Sequence, residues 1–186
     1  GAATARRVAT DSLTPMFAKL LPAAFPAAEI VDGEAAMRRA RLCKTPAEVD
    51  EIRASVAVAQ RCLDVAGSHL RAGATERGIT AAFMAEMARA GVTTPSTQDV
   101  ARITSPEHPW RRGDRDRRVA PGDLVVLAGG VVRGGYTGEL ARTHALDGGH
   151  AGLFARLAEL RAGLDEVCRP GEPGSALLDA YASAGV

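Results

Sequence analysis

The sequence lacks any apolar run long enough to span a bilayer, and residues 1–10 carry no signal-peptide pattern. Cysteine is scarce. Cys43, Cys62 and Cys168 are odd in number and far apart. They give neither a disulfide framework nor zinc-ligand spacing, which points to a reducing compartment and hence to the cytoplasm. Net charge is almost absent too, since 23 Lys and Arg against 22 Asp and Glu leave +1. No global field therefore selects nucleic acid or a membrane surface as partner. No Ser or Cys stands in a nucleophile elbow. "GGVVRGG" (129–135) lacks the spacing, the lysine and the following helix of a phosphate cradle.

What is present is an ordinary globular balance, 46% hydrophobic and 24% charged over 186 residues. That length holds one domain with a real core, or one domain and part of another. The chain starts on Gly1 rather than a methionine, so the start of the gene product is expected upstream.

Residues 6–10 suit a short strand, and Thr14 and Pro15 suit the cap and first position of a helix. "AEIV" (28–31) reads as a second strand and "GEAAMRRAR" (33–41) as a short helix, together an α/β piece. "KTPAEVDEIRAS" then opens a long helix, with Thr45 as cap, Pro46 at the first position and Glu48 closing a capping box. Val49, Ile52, Val56, Ala59, Leu63, Ala66 and Leu70 follow at helical spacing as its apolar stripe. Gly73 ends it. A second helix starts near Thr75, carries Ile79, Phe83 and Met87, and stops at Gly91. Segments 99–105, 123–132 and 136–146 read as strands. A helix over 150–168 follows, and a shorter one for which Ser175 is the expected cap.

The helix order hides a repeat. Residues 70–92 align with 168–186, matching Arg71 to Arg169 and Gly73 to Gly171, and both segments end in Ala-Gly-Val. After the first copy the chain supplies strands; after the second it ends. The second helix pair carries Leu153, Leu157, Leu160, Leu164, Leu177, Leu178 and Tyr181. It is expected to need strands from a further segment or a partner chain.

"LAGGVVRGGYTGEL" (127–140) is a functional-looking hairpin with a single carboxylate. With "KTPAEVDEIRAS" before it and "ARTHAL" after it, the chain from Thr45 to Val186 resembles the creatinase, prolidase and methionine aminopeptidase family. The resemblance implies an α+β pita-bread fold, paired helices over a curved antiparallel sheet, of which residues 43–186 form the first part. Residues 1–42 are similar to the end of the N-terminal α/β domain of the creatinase–prolidase branch. In the family's metallopeptidases the hairpin presents two aspartates eleven positions apart, and a histidine and two acidic residues of the second half complete a two-metal site. Here those positions are Ala128 and Glu139, followed by the family's Arg-Thr as Arg142 and Thr143. The resemblance therefore implies no metal ligands and no bound cofactor on this hairpin, although the family usually holds two divalent cations (Mn, Co or Zn).

His108 lies in the region where the metal-independent creatinases carry an acid–base histidine, a role suited to imidazole. It and Glu139 are the candidate catalytic residues; Trp110 and Tyr136 are the candidate substrate contacts. An ordinary solvated loop histidine is the alternative for His108. His69 and His144 are expected on a helix surface and a strand, and His150 at a helix start. Arg111, Arg112, Arg115, Arg117 and Arg118 form a basic cluster interrupted by Asp114 and Asp116, read as a solvated loop. The expectation is a cytoplasmic, homodimeric hydrolase of small amide or peptide C–N bonds. The alternative is a catalytically inactive pita-bread module used for binding.

Overall fold

Two parallel strands open the chain, β1 (Arg7–Thr10) and β2 (Glu29–Asp32), in the register Arg7 to Glu29 and Thr10 to Asp32. This computed structural model describes residues 4–11, 14–105 and 116–185. Helix α1 (Pro15–Ala24) joins the strands, and Thr14 Oγ1 accepts from Phe17 N–H at 3.3 Å, as a cap with proline behind it should. Helix α2 (Glu34–Leu42) follows Gly33, whose N–H donates to Thr10 O at 2.8 Å. By contacts the chain divides into two compact units, 1–51 and 52–186.

Helix α3 (Pro46–Ser68) starts on the expected capping box. Thr45 N–H donates to Glu48 Oε2 at 2.6 Å, and Glu48 N–H donates to Thr45 Oγ1 at 3.3 Å. Its core-facing stripe differs from the one read in sequence. Ser55, Val58, Ala59, Cys62, Leu63 and Ala66 are buried, whereas Val49, Ile52, Val56 and Leu70 are only half-buried. The buried side chains are mostly short. A helix that packs close to a sheet buries small residues on the line of contact and leaves larger ones on its flanks.

Helix α4 (Glu76–Arg89) is capped by Thr75, which accepts from Gly78 N–H at 3.1 Å, and buries Ile79, Phe83 and Met87 as expected. The antiparallel sheet runs in the order β3 (Ala101–Thr104), β4 (Leu124–Arg133), β5 (Tyr136–Ala145). Along β4, Val125, Leu127 and Val131 are buried among Leu63, Ile79, Phe83 and Ile103 in a single core. Alternation sends the intervening residues to the opposite face.

Residues 116–118, read as part of a solvated loop, and the adjoining Val119 are tied to the start of α4. Gly73 N–H donates to Val119 O at 2.8 Å, and Arg118 Nη1 donates to Gly73 O at 2.9 Å. Arg117 pairs with the buried Asp123 at 3.3 Å. Arg111, Arg112, Asp114 and Arg115 lie outside the described residues.

Helices α5 (Ala151–Val167) and α6 (Ser175–Ser183) follow. The cap of α6 is Gly174 rather than Ser175, which is already inside the helix, and no side chain bonds to the helix start. His150 occupies the cap position of α5 without capping it; its Nε2 lies 3.1 Å from Gly122 O instead. The repeat holds in local geometry. Gly73 and Gly171 have φ of 80° and 94°, and Gly91 and Gly185 have 76° and 68°. Neither α5 nor α6 contains a buried residue, and Leu153, Leu157, Leu178 and Tyr181 are exposed.

Candidate functional site

The hairpin β4–β5 closes on Gly134 and Gly135, both at positive φ (58° and 82°), between the paired residues Arg133 and Tyr136. A two-residue turn with two positive φ values matches the twist of the strands, and glycine adopts it without strain. The turn fixes the register, and the register decides which residues share a face.

Ala128 pairs with Ala141 and Gly130 with Glu139, so positions 128 and 139 are diagonal neighbours on one face. Such neighbours stand about 7–8 Å apart. This is the face turned away from α3 and α4. The two positions that the resemblance assigns to ligands are thus brought together, with a methyl group at one and a carboxylate at the other. Glu139 is exposed, and Ser96 Oγ donates to its Oε2 at 3.2 Å. Ser96 is itself held by its N–H to Gly130 O at 2.9 Å, where the segment before β3 runs beside β4. Thr97 Oγ1 donates to Ala128 O at 3.4 Å.

As a donor set, the described part of this face does not fit a dinuclear metal centre. One carboxylate cannot both anchor and bridge two cations. Among the described residues no three His, Cys, Asp or Glu side chains gather where they could hold a metal ion.

Tyr136 does not join Glu139. Three residues apart on one strand, they point to opposite faces, and Tyr136 shares its side with Leu140 and Arg142. Its carbonyl accepts from Ser55 Oγ of α3 at 3.1 Å. Tyr136, a candidate substrate contact, therefore lies on the face of the sheet opposite Glu139. His108 and Trp110 lie outside the described residues. Arg142 Nη2 donates to Gln60 Oε1 at 2.7 Å, tying β5 to α3. His144, on the same side, is half-buried; burial, and secondly the charge of Arg142, push its pKa below the usual histidine value. His69 is exposed just past the end of α3.

Two residues on the open face escaped the sequence reading. Ser96 sits in "TTPST", a polar stretch with no periodic signal. Arg102 is in β3, opposite Val126, and shares the face of Glu139. The buried–exposed alternation Ala101, Arg102, Ile103 could have placed it there from sequence. A cavity of about 230 Å³ lies elsewhere, lined by Glu76, Thr80, Gln98 and Asp99 among others and by no hairpin residue.

A helix pair on one face of an antiparallel sheet whose two long strands form a glycine-turned hairpin defines part of a pita-bread fold. The chain belongs to metallopeptidase family M24, whose family profile matches residues 50–184. Among solved structures it is similar to X-Pro aminopeptidase from Thermotoga maritima MSB8, at 16% identity and TM-score 0.82 over 96% of this chain and 52% of that one. The prolidase from Pyrococcus horikoshii OT3 matches at 19% identity and TM-score 0.77, over 97% and 54%. The Xaa-Pro dipeptidase from Bacillus anthracis matches at 21% and 0.69, over 82% and 44%. The chain therefore spans about half the length of these structures. No curated protein matches it in sequence. Among the described residues no helix is long and apolar enough to cross a membrane.

Proposed function

We propose that the chain is part of a hydrolase of small amide or peptide C–N bonds that works without the family's metal pair. The observation behind this is the diagonal of Ala128 and Glu139, with a methyl group where a first carboxylate would stand. Membership of M24 supports the reaction class, and the prolidase and X-Pro aminopeptidase structures carry peptide-bond hydrolysis in their names. In this reading Glu139, oriented by Ser96, positions substrate or water. His108 takes a proton from the attacking water and returns one to the leaving nitrogen, a role within reach of imidazole near neutral pH. A cytoplasmic homodimer is part of the same proposal.

The test is turnover of Xaa-Pro peptides and of small C–N amides by the full chain before and after chelation, with metal content measured in parallel. The expected result is activity that survives chelation and is lost in His108→Ala. Two Mn, Co or Zn per chain after dialysis, with activity abolished by chelator, would overturn it. The same lack of a carboxylate at Ala128 favours a second reading, a catalytically inactive binding module; absence of turnover on every substrate with binding retained would select it.

A further inference from the structure

On the open face of the sheet the paired strands carry two charged residues, Arg102 of β3 and Glu139 of β5. Both are exposed. Among the described residues neither has an ion-pair partner, and the one hydrogen bond to the Glu139 carboxylate comes from the neutral Ser96. At the flank of the sheet Arg117 is paired with Asp123, and on the opposite face Arg142 bonds to the neutral Gln60.

Between the two charges lies a floor of small or uncharged side chains, Val126, Ala128, Ala141 and Thr143. Arg102 is opposite Val126, and Glu139 is opposite Gly130, four residues along β4 and two strands across. At about 3.3 Å per residue and 4.8 Å per strand, the two Cα atoms stand roughly 16 Å apart. An extended peptide of three to four residues is about 10–14 Å long. Flexible Arg and Glu side chains leaning inward close the difference.

We propose that this face binds a short free peptide as a zwitterion, its ammonium group on Glu139 and its terminal carboxylate on Arg102. The planar guanidinium suits a carboxylate in a bidentate pair, and the Ser96 bond leaves Glu139 Oε1 open to an ammonium donor. One cation and one anion with an uncharged span between them complement a ligand of zero net charge with the opposite arrangement. They do not complement a polyanion or a polycation. The inference rests on the hydrolase reading for its ligand class and adds the two residues that choose the ligand's ends.

The experiment is calorimetric titration of the full chain with trialanine and tetraalanine, each also N-acetylated or C-amidated. Each cap is expected to weaken binding by about two- to fivefold, as for a solvent-exposed charge pair. In Glu139→Gln, N-acetylation should cease to matter while C-amidation still does. In Arg102→Met the pattern should reverse. Melting temperatures within a degree or two of the parent establish that both variants remain folded.

No detectable binding of the free peptides, or binding indifferent to both caps, would overturn the proposal. So would a salt-sensitive dimer abolished by Glu139→Gln, which would mean that Arg102 and Glu139 pair between copies. Cap-sensitive binding without turnover supports this proposal and removes only the hydrolase reading. Turnover whose KM ignores both caps does the reverse.

Discussion

Gly138 lies flat against the backbone of Ser55: a Cβ at position 138 would stand 2.3 Å from the Ser55 carbonyl carbon. From the other side Ser55 Oγ donates to Tyr136 O at 3.1 Å. Helix and hairpin are thus joined at a point where neither can retreat. The next residue along β5 is Glu139, turned by strand alternation to the open face. The seat under Gly138 is what aims the carboxylate.

Gly138→Ala should destabilise the chain by about 2–3 kcal/mol, because the new methyl meets backbone that has no rotamer to yield. Gly163→Ala, in the middle of α5 with nothing within 4 Å of the new Cβ, should instead stabilise by about 0.5–1 kcal/mol. Urea unfolding of the two variants checks both signs. Equal effects would show that the Gly138 contact is not tight.

Thr45→Ala removes the side chain that accepts from Glu48 N–H and bonds to the Glu48 carboxylate. The expected loss is about 1 kcal/mol of stability. Hydrogen exchange at the amides of residues 47–49 should rise while exchange in β4 changes only with global stability. Unchanged protection at those amides would contradict the capping role.

His144 makes stability depend on pH in a stated direction. Burial and Arg142 lower its folded pKa beneath the ordinary histidine value, so the unfolded chain takes up the proton first. Its contribution is fully present above the unfolded value of about 6.5 and is lost as pH falls through that value toward the lowered folded one. His144→Gln should flatten the dependence of the urea midpoint between about pH 7 and pH 5. A parent midpoint that rises on acidification over that window would sink the assignment.

Ala128→Asp places a second carboxylate diagonal to Glu139. The pair can share one divalent cation, and a ligand that binds only the folded chain raises its melting temperature. Millimolar Mn²⁺ should therefore raise the melting temperature of Ala128→Asp by a few degrees and leave the parent unchanged. An equal shift in both proteins would show that the cation binds elsewhere.

Several elements were legible in the residues because their causes are local. The capping box at Thr45 and Glu48, the Thr14-Pro15 start and the Gly91 stop each depend on side chains within one helical turn. The hairpin could be read the same way, since its turn glycines set the register. The cap of α6 was misread because Ser175 has a capping side chain but the chain enters the helix one residue earlier, on Gly174.

What the sequence by itself determined, then, is the starts of α1, α3 and α4, the stop at Gly91 and the hairpin register; α3 itself ends at Ser68, five residues before the expected Gly73. Only the tertiary structure decided that α3 packs on Ser55, Val58 and Cys62 rather than on Val49, Ile52 and Val56 beside them, because closeness of approach depends on the partner surface. It alone separated Tyr136 from Glu139 and brought Ser96 and Arg102 to the same face as that carboxylate. Those relations join strands far apart in the chain, and they follow from which edge of β4 each segment pairs with. That pairing is settled by burying Val125, Leu127 and Val131 against α3 and α4, a condition no short stretch of sequence contains.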